Sequence, residues 1–394
     1  MTSALRNPDR WDVGLLLPCL LVGGTEVATL ETASAFQALG CSVAVVVYFD
    51  EVDPTMLATF REKGLQVQLL GVPRGNGLLS FWGLAMGLQQ VLRRGRFDLV
   101  WVQYMTPTLL PLAVSRLFTQ RLVAAVHVAA SHYSPAGLGR MRWLARHWCA
   151  RFVCVSGAVA NGIFRSAGDV ERFAGRVVVI PNALDMTAMR ASLKRDWRIE
   201  LGWPRDVVVV GFWGRLAHVK GVDVLLNAVA RLHRQGVPIR LVIVGEGAEQ
   251  ASLQVLSQRL GVGAITHFAG QLPRGEIFSA LKGFDMAVMP SREGLEGFGL
   301  SALEAMAAGV PVVASRVDAL NEVVVDGATG LLCPADDPVN LAEAIARLMS
   351  DSALRQRMGA AGVAHVESSY DAPAFRAHLA GLLTGLGLPV RAVV

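Results

Sequence analysis

Phe284-Asp-Met-Ala-Val-Met-Pro290-Ser-Arg-Glu-Gly-Leu-Glu-Gly-Phe-Gly-Leu300-Ser-Ala-Leu-Glu-Ala-Met-Ala-Ala-Gly-Val-Pro-Val-Val-Ala-Ser315 is the stretch whose reading decides the fold. Phe284 to Pro290 reads as a short buried strand stopped by proline. Gly294, Gly297 and Gly299 let the backbone turn tightly and come close to a ligand. Leu300 to Ala308 then carries a helical pattern, with Leu300, Leu303 and Ala307 on one face, and Val312–Ala314 is a second apolar strand. Such a helix offers unpaired N–H groups and a partial positive charge at its start, where phosphate binds well. Two carboxylates, Glu296 and Glu304, lie in this segment. If most of the span between them is helical, they stand about 12 Å apart. Glu293 competes with Glu296 but lacks the following Gly-Phe-Gly and the spacing to Glu304.

The same alternation extends outward through the chain. Short β-branched runs separated by helical patterns occur at Val13–Leu17, Val43–Tyr48, Val67–Leu70, Leu99–Val102, Leu122–Val126, Phe152–Val155 and Val177–Ile180. A second series is Val207–Phe212, Arg240–Val244, Ile265–Phe268, Met286–Met289, Val312–Ala314 and Gly330–Leu332. Continuous apolar strands between helices imply parallel sheets covered on both faces. The class is α/β with two doubly wound, Rossmann-like domains, and ligand sites are expected at the carboxyl ends of the strands. The length of 394 residues also favours two cores. The break follows Ile180-Pro-Asn-Ala-Leu-Asp185, which predicts one domain over 1–185 and a second over 186–369, with Met186 to Pro204 as connector. Asn182 and Asp185 are read as structural.

Composition narrows the class further. The chain is 53% hydrophobic with a mean hydropathy of +0.42, yet no run reaches the roughly 18 consecutive apolar residues of a membrane span. The apolar run Val13 to Val22 contains a proline and ends in Gly23-Gly24, a poor signal peptide. Five cysteines without zinc or redox spacing point to a reduced cytoplasmic compartment. Residues 1–190 hold 18 Lys+Arg against 12 Asp+Glu, a balance of +6, whereas residues 191–394 hold 19 against 20. A basic first half implies an anionic acceptor or surface. The arginines are dispersed and no nucleic-acid motif is present, so nucleic acid is not the expected partner.

Val207-Val-Val-Val-Gly-Phe-Trp-Gly-Arg-Leu-Ala-His-Val-Lys-Gly221 is the second strong element. A strand feeds a glycine turn bearing Arg215, and Lys220 follows five positions later. Arg215 is suited to gripping phosphate oxygens as a fork and Lys220 to acting as a point charge. Together with the Glu296–Glu304 segment, this element resembles the signature of the retaining glycosyltransferases of family 4. The resemblance covers most of the chain, most closely from Val207 to Ser315. It implies the GT-B architecture, a C-terminal helix (about 370–394, with Phe375 to Leu386 as candidate) returning to the first domain, and a site in the cleft between the domains. It also implies transfer of a sugar from a nucleotide diphosphate sugar to a glycan or lipid-linked acceptor. Glu296 would bind hydroxyls of the donor sugar and Glu304 the ribose, while Arg215 and Lys220 stabilise the departing diphosphate.

The resemblance extends to weaker elements. Gly23 and Gly24, in Leu21-Val-Gly-Gly-Thr-Glu-Val27, match the family's Gly-Gly loop against the donor phosphates, while Glu26 caps the helix or touches an acceptor. His127, closing Leu122-Val-Ala-Ala-Val-His127, matches a histidine that approaches the donor sugar, although Val128 stands where the family often has an acid. Gly245, Gln271 and Leu272 match nucleotide-lining turns, and Gly297, Phe298, Gly299 and Leu300 complete the donor loop. No Asp-X-Asp suits a divalent metal, so neither metal nor cofactor is expected. A nucleotide-sugar epimerase and a catalytically silent nucleotide-sugar binder are the alternatives.

Two segments point to a membrane surface. Leu138-Gly-Arg-Met-Arg-Trp-Leu-Ala-Arg-His-Trp-Cys-Ala-Arg151 mixes arginines with tryptophans, and Gly77 to Arg96 joins Phe81 and Trp82 to a basic end at Arg93, Arg94 and Arg96. Both fit helices lying peripherally on anionic headgroups; ordinary core helices with solvated arginine tips are the competing reading.

Overall fold

The computed structural model describes residues 12–21, 23–75, 77–103, 109–164, 173, 175–294 and 296–390. It divides into two compact units, one built from the chain up to Ala183 and from Ala372 onward, the other from Leu184–Asp371. In the first, β1 (Val13–Leu17), β2 (Val43–Phe49), β3 (Gln66–Val72), β4 (Leu99–Gln103), β5 (Leu122–Val126), β6 (Arg151–Cys154) and β7 (Val177–Val179) form one sheet. Their order is β3-β2-β1-β4-β5-β6-β7, and all neighbours run parallel. In the second, β8 (Val208–Trp213), β9 (Ile239–Val244), β10 (Thr266–Gly270), β11 (Met286–Met289), β12 (Val312–Ser315) and β13 (Gly330–Cys333) are ordered β10-β9-β8-β11-β12-β13, again parallel.

Each order reverses once, between β1 and β4 and between β8 and β11. At such a switch point the loops leaving the two strands diverge and open a crevice at their carboxyl ends. The central strands are buried on both faces, which is why they read as unbroken apolar runs.

The closing helix, Ala372–Gly385, belongs to the first unit. It buries Phe375, Leu379, Leu382 and Leu383 in the core formed by β1, β2, β4 and the helix Gly24–Ala38. Arg121 Nε and Arg151 Nη2 bond the carbonyls of Leu386 and Gly385, which fastens its end. Met186 to Pro204, read as the connector, lies within the second unit. Short helices form at Met186–Ala191 and Trp197–Glu200. Trp197 is completely buried, stacked on Phe284, with its indole N–H on the Ala280 carbonyl. A single large aromatic is enough to dock a short segment. All five cysteines are free thiols.

Candidate active site

The second unit gathers two carboxylates and two cations at its switch point. β8 runs into Gly214 and Arg215, a short 3-10 turn at His218–Lys220, and then the helix Val222–Arg234. β11 runs through Pro290 into the loop bearing Glu296. These two exits touch backbone to backbone. Gly221 has φ +62°, and a Cβ on it would lie 2.0 Å from the Pro290 carbonyl oxygen, so only glycine fits. The Lys220 ammonium lies 2.6 Å from a Glu296 carboxylate oxygen. Ser291 donates its hydroxyl to that same oxygen at 3.0 Å. The Glu296 backbone N–H donates to Asp318 at 3.2 Å.

Arg292 binds the turn from behind. Its backbone N–H bonds the Val219 carbonyl, and its guanidinium pairs with Asp223 at 2.8 Å and Asp336 at 2.7 Å. Burial alone would raise the Asp223 pKa; the hydrogen bond and charge of Arg292 outweigh it and hold the carboxyl below its usual range. Arg215 is exposed, and its guanidinium makes no ion pair with another described residue. One cation is therefore held against a carboxylate while the other extends into solvent.

The helix of the opening motif covers Leu300–Ala307, entered through Gly299 at φ +91°. Glu296 lies before it in irregular chain, so the helical rise does not set the separation of the two glutamates, contrary to the expectation above. Glu304 is on the helix, and Trp213 donates its indole N–H to it at 2.6 Å. Phe298 is buried edge-on against Tyr370. Gly297 and Gly299 are buried and Leu300 half-buried. On the other side of β8, Gly245 follows β9 with φ +128°, and a Cβ there would meet the Gly214 carbonyl at 2.0 Å. Gln271 is exposed after β10, with its N–H 3.4 Å from Glu246, and Leu272 is half-buried.

In the first unit, Gly23 precedes the helix Gly24–Ala38 in extended conformation. Glu26 folds back over it, buried at 4% exposure, and accepts a long bond from the Cys19 thiol at 3.7 Å. Burial pushes its pKa up. The Glu26 carboxylate thus lies over the residue that precedes its own helix. His127 leaves β5 with Nε2 2.6 Å from Gln103 Oε1. His127 is half-buried as a residue, its Nδ1 is buried with no partner among the described residues, and burial lowers the pKa to about 4.

Trp213, Ser291, Asp318, Gln103 and Thr29 went unnoticed as site residues in the sequence. Trp213, Asp318, Gln103 and Thr29 act through partners distant along the chain, 91 residues away for Trp213 and Glu304, whereas Ser291 acts on Glu296 within its own loop. Only Trp213 and Ser291 lie inside the quoted motifs, and nothing local marks their role.

With this geometry in view, likeness to known proteins is decisive. The profile described as glycosyl transferases group 1 matches residues 194–365, and that of glycosyltransferase family 4 matches residues 22–188. The chain belongs to the family-4 glycosyltransferases. A D-inositol 3-phosphate glycosyltransferase of Streptomyces avermitilis is 28% identical, covering 93% of this chain and 82% of that protein. The one from Thermobifida fusca is 33% identical over 48% of this chain and 45% of its own length. That of Corynebacterium urealyticum is 37% identical over 46% and 45%. The chain thus spans about half the length of several curated relatives it matches.

Among solved structures, Anabaena Alr3699/HepE in complex with UDP and glucose superposes with a TM-score of 0.79 at 22% identity, covering 94% of this chain and 99% of that one. WaaG, a glycosyltransferase of lipopolysaccharide biosynthesis, gives 0.69 at 17% identity, covering 95% and 100%. These likenesses show the fold, which in this family-4 chain is GT-B.

Proposed function

We propose that this family-4 chain is a retaining, metal-independent hexosyltransferase that moves a sugar from a nucleotide diphosphate donor onto an anionic or lipid-linked acceptor. The observation that carries the reading is the Lys220–Glu296 pair at 2.6 Å on the same loop as the exposed Arg215, at the switch point of the second unit. Glu296 accepts hydrogen bonds from donor-sugar hydroxyls and Glu304, held by Trp213, from the ribose. As the glycosidic bond to phosphate breaks, negative charge grows on the leaving oxygen, and Arg215 and Lys220 stabilise it. The acceptor oxygen attacks the anomeric carbon on the face the diphosphate leaves, and its proton passes to a leaving phosphate oxygen. Glycosidic linkage and nucleoside diphosphate are the products.

The relatives' name specifies a phosphorylated cyclitol as acceptor. A +6 balance in residues 1–190 supports an anionic acceptor here as well. Melting-temperature shifts across nucleotide-sugars identify the donor, because a bound donor stabilises the fold by mass action. Product analysis then separates transfer from epimerisation and from silent binding. Recovery of an epimerised nucleotide-sugar, or of unchanged donor with every acceptor, contradicts the reading.

A lipid surface as partner is supported by one specific face. On the helix Leu78–Gly95, Leu78, Leu79, Phe81, Trp82 and Met86 are all exposed, Leu79 by 90%. The helix carries no acidic residue and ends in Arg93 and Arg94. Its apolar start follows the carboxyl end of β3, the end of the sheet that also carries the Gly23–Gly24 loop. No described helix is long and apolar enough to cross a membrane. The second expected surface, the helix Pro135–His147, is a weaker fit, since Arg142 is turned inward onto the Ile163 carbonyl.

A further inference from the structure

We propose that Gln103 is a positioning residue that sets the tautomer of His127, holding its proton on Nε2 and reserving Nδ1 as an acceptor for a ligand hydroxyl. The identification of that hydroxyl with the donor sugar rests on the transferase reading; the tautomer does not. A backbone carbonyl only accepts hydrogen bonds. Thr29 donates its hydroxyl to the carbonyl of Thr25 at 2.8 Å. Its oxygen is then the acceptor for the Gln103 amide nitrogen at 2.9 Å. An amide nitrogen only donates, so the other end of that amide, Oε1, faces His127 at 2.6 Å and only accepts. The imidazole must therefore donate through Nε2.

Burial keeps the ring neutral, which leaves the lone pair on Nδ1. That nitrogen is buried without a partner among the described residues, and an orphaned buried polar atom calls for an explanation. The relay is well placed to be fixed. Thr29 is completely buried and Gln103 is 2% exposed. Gln103 closes β4, and Thr25 and Thr29 occupy the first turns of the helix that follows Gly23, so the relay ties β4 and β5 to the loop leaving β1 at this unit's switch point. In this arrangement the single ring N–H of His127 is committed to Gln103. His127 then serves the reaction by accepting a hydrogen bond and orienting a hydroxyl, not by supplying a proton.

Proton-detected long-range 15N NMR on histidine-labelled full-length protein without donor, with His127 assigned through His127→Gln, reads the tautomer directly. At neutral pH the expected pattern is a pyrrole-like Nε2 and a pyridine-like Nδ1. A protonated Nδ1, or an imidazolium, overturns the proposal while leaving the transferase reading intact. Gln103→Leu, of similar size, should lose the pure Nε2–H pattern and lower kcat roughly 10-fold or more, as a loosened reacting geometry does, with a smaller change in donor KM. Thr29→Val breaks the relay one link earlier and serves if Gln103→Leu does not fold; its expected signature is the same mixed tautomer. Retention of the wild-type pattern in a folded variant of either residue overturns the positioning role.

Discussion

Arg215 and Lys220 stand on one loop with different surroundings. Lys220 already holds Glu296, whereas Arg215 is exposed. Arg215→Ala and Lys220→Ala are each expected to lower turnover by roughly 10²–10³-fold, as for the loss of one charge-stabilising donor. Lys220→Ala should in addition raise the donor KM, because it leaves Glu296 without its cation. Steady-state kinetics separate the two effects. At His127 the pH dependence of stability has a definite sign. Its pKa is about 4 in the folded chain and about 6.5 when unfolded. Between those values the unfolded chain binds the extra proton. The stabilisation is complete above pH 6.5 and is lost as the pH falls towards 4, by at most about 3 kcal/mol at 1.36 kcal/mol per unit. Urea titrations at pH 7 and pH 4.5 should show a smaller difference for His127→Gln than for wild type. An equal difference would mean that the ring is solvated in the native state.

At the level of elements, the glycines after β8 and β9 let separate loops close on one another. Gly221 and Gly236 make a controlled pair. Both have positive φ, but a Cβ at Gly236 meets nothing within 4 Å, whereas at Gly221 it meets the Pro290 carbonyl at 2.0 Å. Gly236→Ala should cost about 1–2 kcal/mol, the left-handed penalty alone. Gly221→Ala should cost clearly more, and it should also impair turnover by pushing Lys220 away from Glu296. Equal melting temperatures and activities for the two variants would contradict the close approach. The central strands were legible in the sequence because apolar runs buried on both faces leave few polar residues to interrupt them, whereas β3 and β10 are partly exposed and carry polar residues. The loop-borne cations and glutamates were legible for a related reason, since glycine turns follow those strands. The supports of the site were not. Asp318 reaches the Glu296 N–H across 22 residues, and Gln103 reaches Thr29 across 74. Such pairings are decided by strand order, which local pattern does not encode. The segment from Met186 to Pro204 docks through Met186, Met189 and Trp197, apolar side chains scattered in a polar stretch and too sparse to mark a packed element.

For the molecule as a whole, charge and apolar exposure favour the first unit for acceptor contact, and the Arg215, Lys220, Glu296 and Glu304 set favours the second for the donor. Liposome sedimentation should show preference for anionic vesicles, weakened by salt and by Trp82→Ser with Met86→Ser. Binding that is indifferent to lipid charge and to these substitutions would point to a soluble anionic acceptor. Transfer should persist in EDTA if, as proposed, the cations and the Leu300 helix terminus hold the diphosphate; loss of activity restored by magnesium would reveal a metal requirement. The central claim is that the two cations drive departure of the diphosphate. Its most direct test is transfer by the Arg215→Ala/Lys220→Ala double variant, with the anomeric configuration of the wild-type product read by NMR. The account predicts a retained configuration in the wild type and transfer lost by at least about 10²-fold in a folded double variant. Normal transfer by that variant, or an inverted product, would contradict it.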